Sequence, residues 1–378
     1  MSRLELSRVD TRSDQRAFLE LPYRLYRADP HWAPPLRSEE RKRWSRARSS
    51  SLQSREAHRF LALREGRPVG RIAAIRDPDF SSAWGTDTGF FGFFECEDDE
   101  EAALGLYEAA EVSLRSWGMC RSIGPVALTT NDEVGFLSEG FDSPPRILTP
   151  YNPARYLDHA ETAGYSVDRE YYAFRWTPDV VLSPAARRML RRAERATTRG
   201  LTGAPTVRSL DPDHWDREVR SLHALYNASF EHVWGFVPMT WEEFDERAQE
   251  FRQFYRPELI AIAEVDGEPI GFAVVLPDVN AALRPLGGRL LPFGWLRLVR
   301  SVPRLRTGRF LLLGVHPDHT GRGIAVLLSD WVARRATALG FDNVELSLVQ
   351  SANRPVVRVI EAFGCPRAKS FRLYRKEL

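Results

Sequence analysis

The strongest periodic signal lies late in the chain. An apolar run of strand length at 309–315 (RFLLLGV) is followed, after a polar turn, by Ile324, Leu327, Leu328, Trp331, Val332 and Leu339 at helical spacing. Asp330, Arg334 and Arg335 fall on the opposite face, which makes the helix amphipathic. Around it the pattern predicts a strand near 205–210, helices at 212–229 and 240–253, and a hairpin at 258–276. A strand at 309–316, a long helix at 321–340, a strand at 342–349, a helix at 353–363 and a last strand at 367–376 complete the unit.

The same order occurs earlier in the chain. The segment 64–77 (REGRPVGRIAAIRD) matches 265–278 (VDGEPIGFAVVLPD), with Gly66, Pro68, Gly70 and Asp77 answering Gly267, Pro269, Gly271 and Asp278 at an offset of 201 (267 − 66). Leu106 and Gly118 answer Leu328 and Gly340 at 222, then Asn152 answers Asn353 at 201 and Gly164 answers Gly364 at 200. The offset grows across an extra segment at 279–308 and shrinks across a compensating one near 125–150. Two similar units with one insertion each explain that order. The predicted division is 1–180, a linker helix at 181–204, and 205–378. Ser183-Pro184 supplies an N-cap and a proline at N1 to open a basic helix, and Gly200 and Gly203 punctuate its end. The basic helix reads as a solvated linker, with a docking site for an acidic partner as the alternative. Strands and helices mixed in this way predict an α/β fold with a mixed, mostly antiparallel sheet in each unit, flanked by helices.

Between strand and long helix stands GVHPDHTGRGIA, Gly314 to Ala325. A helix N-terminus leaves its first N–H groups unpaired and carries about half a positive charge, so it attracts phosphate. Gly321 and Gly323 present no side chain to an approaching anion. A dinucleotide fingerprint is disfavoured, because its first glycine follows the strand directly, and Gly-Lys-Ser/Thr is absent.

Composition narrows the field. The 378 residues carry a formal net charge of +2, which gives no special attraction to nucleic acid. Cys96, Cys120 and Cys365 show no metal-ligand or CxxC spacing, so neither a disulfide framework nor a metal site is expected. No run approaches the roughly 18 apolar residues needed to span a bilayer, and the N-terminus lacks the apolar core of a secretion signal. The expectation is a soluble, cytoplasmic protein.

Strand, Val315-His316-Pro317, then Thr320-Gly321-Arg322-Gly323-Ile324-Ala325, a long helix, Asn353 and Phe363-Gly364 together resemble the GNAT N-acyltransferase superfamily across 205–378. The first unit resembles a second, degenerate copy, and the whole resembles tandem-GNAT bacterial proteins. The resemblance implies an acyl group, acetyl or longer, carried from acyl-coenzyme A to an amine of a small molecule or amino acid, with no metal. Synthesis of long-chain N-acyl amino acids from an acyl carrier protein is an alternative, and a non-catalytic acyl-CoA-binding scaffold is another. It further implies that the backbone of Leu313, Gly314 and Val315 bonds the pantetheine arm between two splayed strands. Thr320, Gly321, Arg322, Gly323, Ile324 and Ala325 would hold the pyrophosphate, and Asn353 is a further cofactor-binding candidate. An N–H near Val315 would stabilise the oxyanion.

Two positions depart from the family. Thr320 stands where a long Arg or Gln is usual, and the general-acid tyrosine aligns with Ile360. Tyr374 is a substitute candidate for that acid. For the base, Glu345 and Glu231 are candidates, because a carboxylate can take the amine's proton. Asn227, His232 and Trp234 border the expected acceptor site. In the first copy the turn reads FECEDDEEAA (94–103), whose carboxylates would repel a pyrophosphate. They also suit a helix start. The insertion at 281–309 alternates apolar residues with arginines; it reads as a covering flap, with a lid over an acyl chain, a carrier-protein surface or a membrane contact as alternatives.

Overall fold

The computed structural model describes residues 3–198 and 204–378, and assigns them to two compact units. The first comprises the chain up to Tyr171 together with Leu283–Trp295 and Lys369–Leu378, and the second holds Tyr172–Ala282 and Leu296–Ala368. Gly200 and Gly203 lie outside the described residues.

The first half of the chain forms β1 (Leu4–Arg8), α1 (Arg12–Leu25), α2 (Arg37–Arg43), α3 (Ser50–Gln53), β2 (Glu56–Arg64) and β3 (Arg67–Arg76). Next come α4 (Pro78–Trp84), β4 (Thr88–Cys96), α5 (Glu100–Ser116), β5 (Arg121–Gly124), β6 (Phe136–Glu139), α6 (Arg155–Thr162) and β7 (Ser166–Trp176). The second half forms α7 (Pro184–Thr198), β8 (Thr206–Ser209), α8 (Trp215–Phe230), α9 (Trp241–Arg252), β9 (Ile260–Val265) and β10 (Glu268–Pro277). It ends with α10 (Asn280–Leu283), α11 (Gly294–Ser301), β11 (Thr307–Val315), α12 (Ile324–Ala338), β12 (Asn343–Gln350), α13 (Arg354–Ala362) and β13 (Arg367–Glu377).

In the first unit the strands run β1-β2-β3-β4-β5-β13, with β6 also on β13. In the second they run β12-β11-β10-β9-β8. Of the pairings with a defined register, β4–β5 and β11–β12 are parallel and the rest antiparallel. The internal duplication is visible in the backbone. The β2–β3 turn at Glu65-Gly66 and the β9–β10 turn at Asp266-Gly267 both place two residues at positive φ (51° and 74°; 52° and 85°). That is the two-residue hairpin turn whose twist matches its strands, and glycine carries its second position without strain.

The last strand departs from the division expected at 205–378. Tyr374 to Glu377 pair with Gly124 to Arg121 of β5, and Tyr374 is wholly buried in the first unit's core with Phe91, Phe136 and Tyr156. The insertion departs likewise: the N–H of Arg37 donates to Gly288 O at 3.0 Å, and Arg284 donates to Pro30 O at 3.0 Å. The basic helix is present, with Ser183 Oγ accepting from Ala186 N at 3.1 Å as its N-cap. It is not fully solvated, however. Ala186, Leu190 and Ala193 are buried, while Arg187, Arg188, Arg191 and Arg192 stay exposed. Apolar side chains three and four residues apart make one face, and that face packs on α12 and α13.

Candidate functional site

The second unit's parallel pair opens part-way. Thr307, Gly308, Arg309 and Phe310 pair with Asn343, Val344, Glu345 and Leu346, and there the register ends. On its other edge β11 stays paired with β10 as far as Val315, after skipping Leu311 in a bulge between Leu312 and Phe310. A bulge bends its strand, so Leu311 to Val315 turn away from β12. Leu313, Gly314 and Val315 lie in this diverging stretch.

Beyond it the chain makes one tight turn. Thr320 Oγ1 donates to Pro317 O at 2.9 Å, so the threonine serves the turn itself. Gly321 and Gly323 hold φ of 75° and 83°, a region that favours glycine. No side chain caps α12, whose first bonds run from Val326 and Leu327 to Gly323 O; the amides of Ile324 and Ala325 precede them. A Cβ on Gly321 would meet nothing within 4 Å, whereas one on Gly323 would come to 2.9 Å from Ala193 Cβ of α7. The turn is open to solvent at Gly321 and covered by the basic helix at Gly323. Its donor set fits a pyrophosphate: free helix amides, Arg322 exposed beside them, and no carboxylate in the glycine turn itself.

One face of the splay carries a buried polar group. Arg309 Nε and Nη2 donate to Ser347 O at 3.2 and 3.0 Å, and Nε also reaches Ser347 Oγ at 3.1 Å. Ser347 Oγ in turn donates to Glu345 Oε1 at 3.0 Å. All three residues are at most 5% exposed. Arg309 and Glu345 face each other in the register, so the parallel pairing alone brings them side by side. Above the diverging strand, Ser229 Oγ is buried without a hydrogen-bond partner, 2.9 Å from where a Cβ on Gly314 would stand. Neither Ser229 nor the Arg309–Ser347 pair is signalled by spacing in the sequence; only the long-range register assembles them.

The opposite face holds a cavity of about 110 Å³, walled by Trp176, Val275, Phe310, Val326, Leu346 and Ile360 among others. Phe310 and Leu346 are the last paired residues before the splay. Cys365 and Asp330 also line it. Burial pushes the Cys365 thiol up to about 11 and, partly offset by Arg334, raises the Asp330 carboxyl.

The other sequence candidates fall in varied places. Asn227 is a structural tie: its amide donates to Met239 O and accepts from Met239 N, both at 3.1 Å. Trp234 contributes its carbonyl, which accepts from Gln350 Nε2 of β12 at 2.8 Å. Glu231 and His232 are exposed just after α8. Asn353 is exposed and caps α13, accepting from Val356 N at 3.4 Å. Tyr374 is not with any of these. It lies in the first unit's core, its hydroxyl donates to Glu161 at 3.2 Å, and burial, with Glu161 adding, pushes its pKa to about 12. The hydroxyl is thus committed to a residue of the first unit.

The first unit has a similar parallel pair, with Phe90↔Ile123 as its last rung, but the space beyond is filled by the chain itself. Val126 N donates to Phe91 O at 2.9 Å, and a Cβ on Gly92 would collide with the carbonyl of Val126. The filler belongs to the compensating insertion near 125–150. Three of the acidic residues of its turn are paired: Asp99 caps α5 and binds Arg64 at 2.9 Å, Glu101 binds Arg64 at 2.6 Å, and Glu97 binds Arg67 at 2.7 Å. Self-filling, more than repulsion, closes this copy.

Residues 219–365 match the model of the Acetyltransferase (GNAT) family. Along nearly the whole length the chain is 33% identical over 377 residues to the bacterial ceramide synthase of Caulobacter vibrioides, covering 98% of this chain and 96% of that one. The chain belongs to the GNAT acyltransferase family. This GNAT protein is also 32% identical over 375 residues to protein YghO of Escherichia coli K12, covering 97% and 94%. Among solved structures, a tandem GNAT protein from the clavulanic acid biosynthesis pathway shares the fold at a TM-score of 0.54 and 13% identity, over 99% and 98% of the two chains. A GNAT from Sphaerobacter thermophilus does so at 0.53 and 16%, over 99% and 95%. The GNAT protein is thus a tandem-fold, coenzyme A-dependent N-acyltransferase. Among the described residues no group of His, Cys, Asp or Glu is arranged to hold a metal ion, and no helix is long and apolar enough to cross a membrane.

Proposed function

We propose that this acyltransferase moves a long acyl chain from coenzyme A to the amine of a long-chain amino alcohol, forming an amide lipid of the ceramide type. The observation that carries the reading is the mostly apolar cavity at the root of the splay, where Ile360 stands in place of the family's tyrosine and Ser329, Asp330 and Cys365 are the polar members of an otherwise hydrocarbon wall. Such a wall accepts methylene groups and repels water. Full-length similarity to a protein named bacterial ceramide synthase supports it.

In this reading the amides of Gly321 to Ala325 hold the pyrophosphate, Leu313 to Val315 hold the arm, and Ser229 faces the thioester carbonyl. The neutral amine attacks the carbonyl carbon, a C–N bond forms, and the C–S bond breaks to release the coenzyme A thiolate. Glu345 takes the proton lost by nitrogen, and solvent protonates the thiolate, since neither Ile360 nor Tyr374 can.

Thiol release by the purified full chain tests this. Palmitoyl-CoA with sphinganine should release thiol and give the N-acyl product by mass spectrometry, well above acetyl-CoA with the same amine. Release with acetyl-CoA and small amines alone overturns the long-chain reading, and release only from an acyl carrier protein transfers donor specificity to that partner.

A further inference from the structure

The inserted segment between Asn280 and Arg306 contains six arginines and no acidic residue. Within nine residues of it, four large apolar side chains stand out of the protein: Leu291 is 80% exposed, Phe293 76%, Trp295 51% and Val299 61%. Trp295 and Val299 are four apart on α11, so they share a face. Arg297 and Arg300 of the same helix and Arg289 before it are exposed as well. A soluble surface seldom shows Phe, Trp and Leu together without a partner.

We propose that this segment docks the enzyme on the surface of an anionic lipid bilayer, with Leu291, Phe293, Trp295 and Val299 entering the interface and the arginines meeting the lipid phosphates. Aromatic rings with a polar edge settle at the headgroup level, and a short helix with one apolar face and basic flanks lies in the plane of the interface. Each basic residue near a negatively charged surface adds to the attraction. A protein partner would have to offer a matching pocket for each protruding side chain, whereas a bilayer accepts all four without one. Charge complementarity therefore points to acidic lipid. The proposal goes beyond the acyl-transfer reading and holds whatever the length of the transferred chain.

Co-sedimentation of the full chain with vesicles tests it. Vesicles of phosphatidylcholine with about a quarter phosphatidylglycerol should carry the protein down at low salt, and far less of it at about 0.5 M salt, where screening shortens electrostatic reach. Phosphatidylcholine alone should bind weakly. The triple variant Phe293→Ser, Trp295→Ser, Val299→Ser should lower the bound fraction about tenfold or more, while its thermal shift with acyl-CoA stays that of the parent. Arg297→Glu with Arg300→Glu should do the same. Wild-type protein that stays in the supernatant with the acidic vesicles overturns the proposal, as does a triple variant that sediments like the parent. A salt-stable dimer, or a complex with an acyl carrier protein, that is lost in the triple variant while vesicle binding persists also overturns it, because the face then belongs to that partner.

Discussion

Ser347 Oγ donates to the carboxylate of Glu345 across 3.0 Å, within a strand whose neighbour brings Arg309 to the same buried spot. The carboxylate is therefore held in one orientation in the second unit, which is what a proton acceptor for a bound amine requires. Glu345→Gln keeps the shape and removes the basicity. Its kcat should fall by about a hundredfold or more, with the melting temperature and the acyl-CoA thermal shift unchanged. Ser347→Ala should give a smaller loss. A Glu345→Gln enzyme with parental kcat removes the carboxylate from the mechanism.

Gly321 is the cleaner probe of the phosphate seat. Gly323 is packed under Ala193, so any side chain there disturbs α7 as well as a ligand. Gly321→Glu fills open space and places a carboxylate beside the helix amides. Saturation of the parent at about 100 times the dissociation constant should add roughly 2.7 kcal/mol of stability, and the variant should lose that increment. An undiminished thermal shift would place the pyrophosphate elsewhere.

Tyr374→Phe separates folding from chemistry. Thiol release should match the parent, because the hydroxyl is bonded to Glu161 inside the first unit's core. Stability near neutral pH should drop by about 1 kcal/mol for the lost hydrogen bond. The pH dependence has a definite sign. The folded pKa of about 12 lies above the ordinary tyrosine value, so the protonated form is favoured by folding; that contribution is complete below pH 10 and fades as pH rises through 12. Denaturant unfolding between those limits should show the parent losing its advantage over Tyr374→Phe. A drop in kcat at pH 7.5 would restore the tyrosine to the reaction.

Cysteine labelling reports on the cavity. Cys120 is exposed and should react first with a maleimide. Cys96 and Cys365 are buried, and burial pushes their thiols up to about 12 and about 11, so at pH 8 they hold little thiolate and should react slowly. Because Cys365 lines the cavity, palmitoyl-CoA should slow its modification further, and acetyl-CoA should not. Equal protection by both, read by peptide mass spectrometry, would mean that the acyl chain does not enter there.

Local chemistry was largely legible in the chain. The paired turns at Gly66 and Gly267, the Ser183 cap and the turn before α12 each depend on residues within four or five positions, and all are present as expected. Partners from far along the chain were not legible. Nothing around Tyr374 distinguishes a strand that closes its own unit from one that pairs with β5. The α7 sequence shows its arginines, whereas Ala186, Leu190 and Ala193 reveal themselves only once α12 and α13 lie beneath them. Ser229 is an ordinary helix serine until the bulge at Leu311 brings Gly314 under it.

The Val126 plug gives the two copies opposite relations to metabolism. Where Val126 bonds Phe91, a covalently attached occupant is always present, and its effective concentration does not vary. In the proposed reading the second unit takes acyl-CoA at the corresponding place, so part of its stability would be set by how much acyl-CoA surrounds it. Depletion of acyl-CoA should therefore expose the second unit to proteases before the first, and the duplicated chain would register donor supply through the lifetime of only one of its halves.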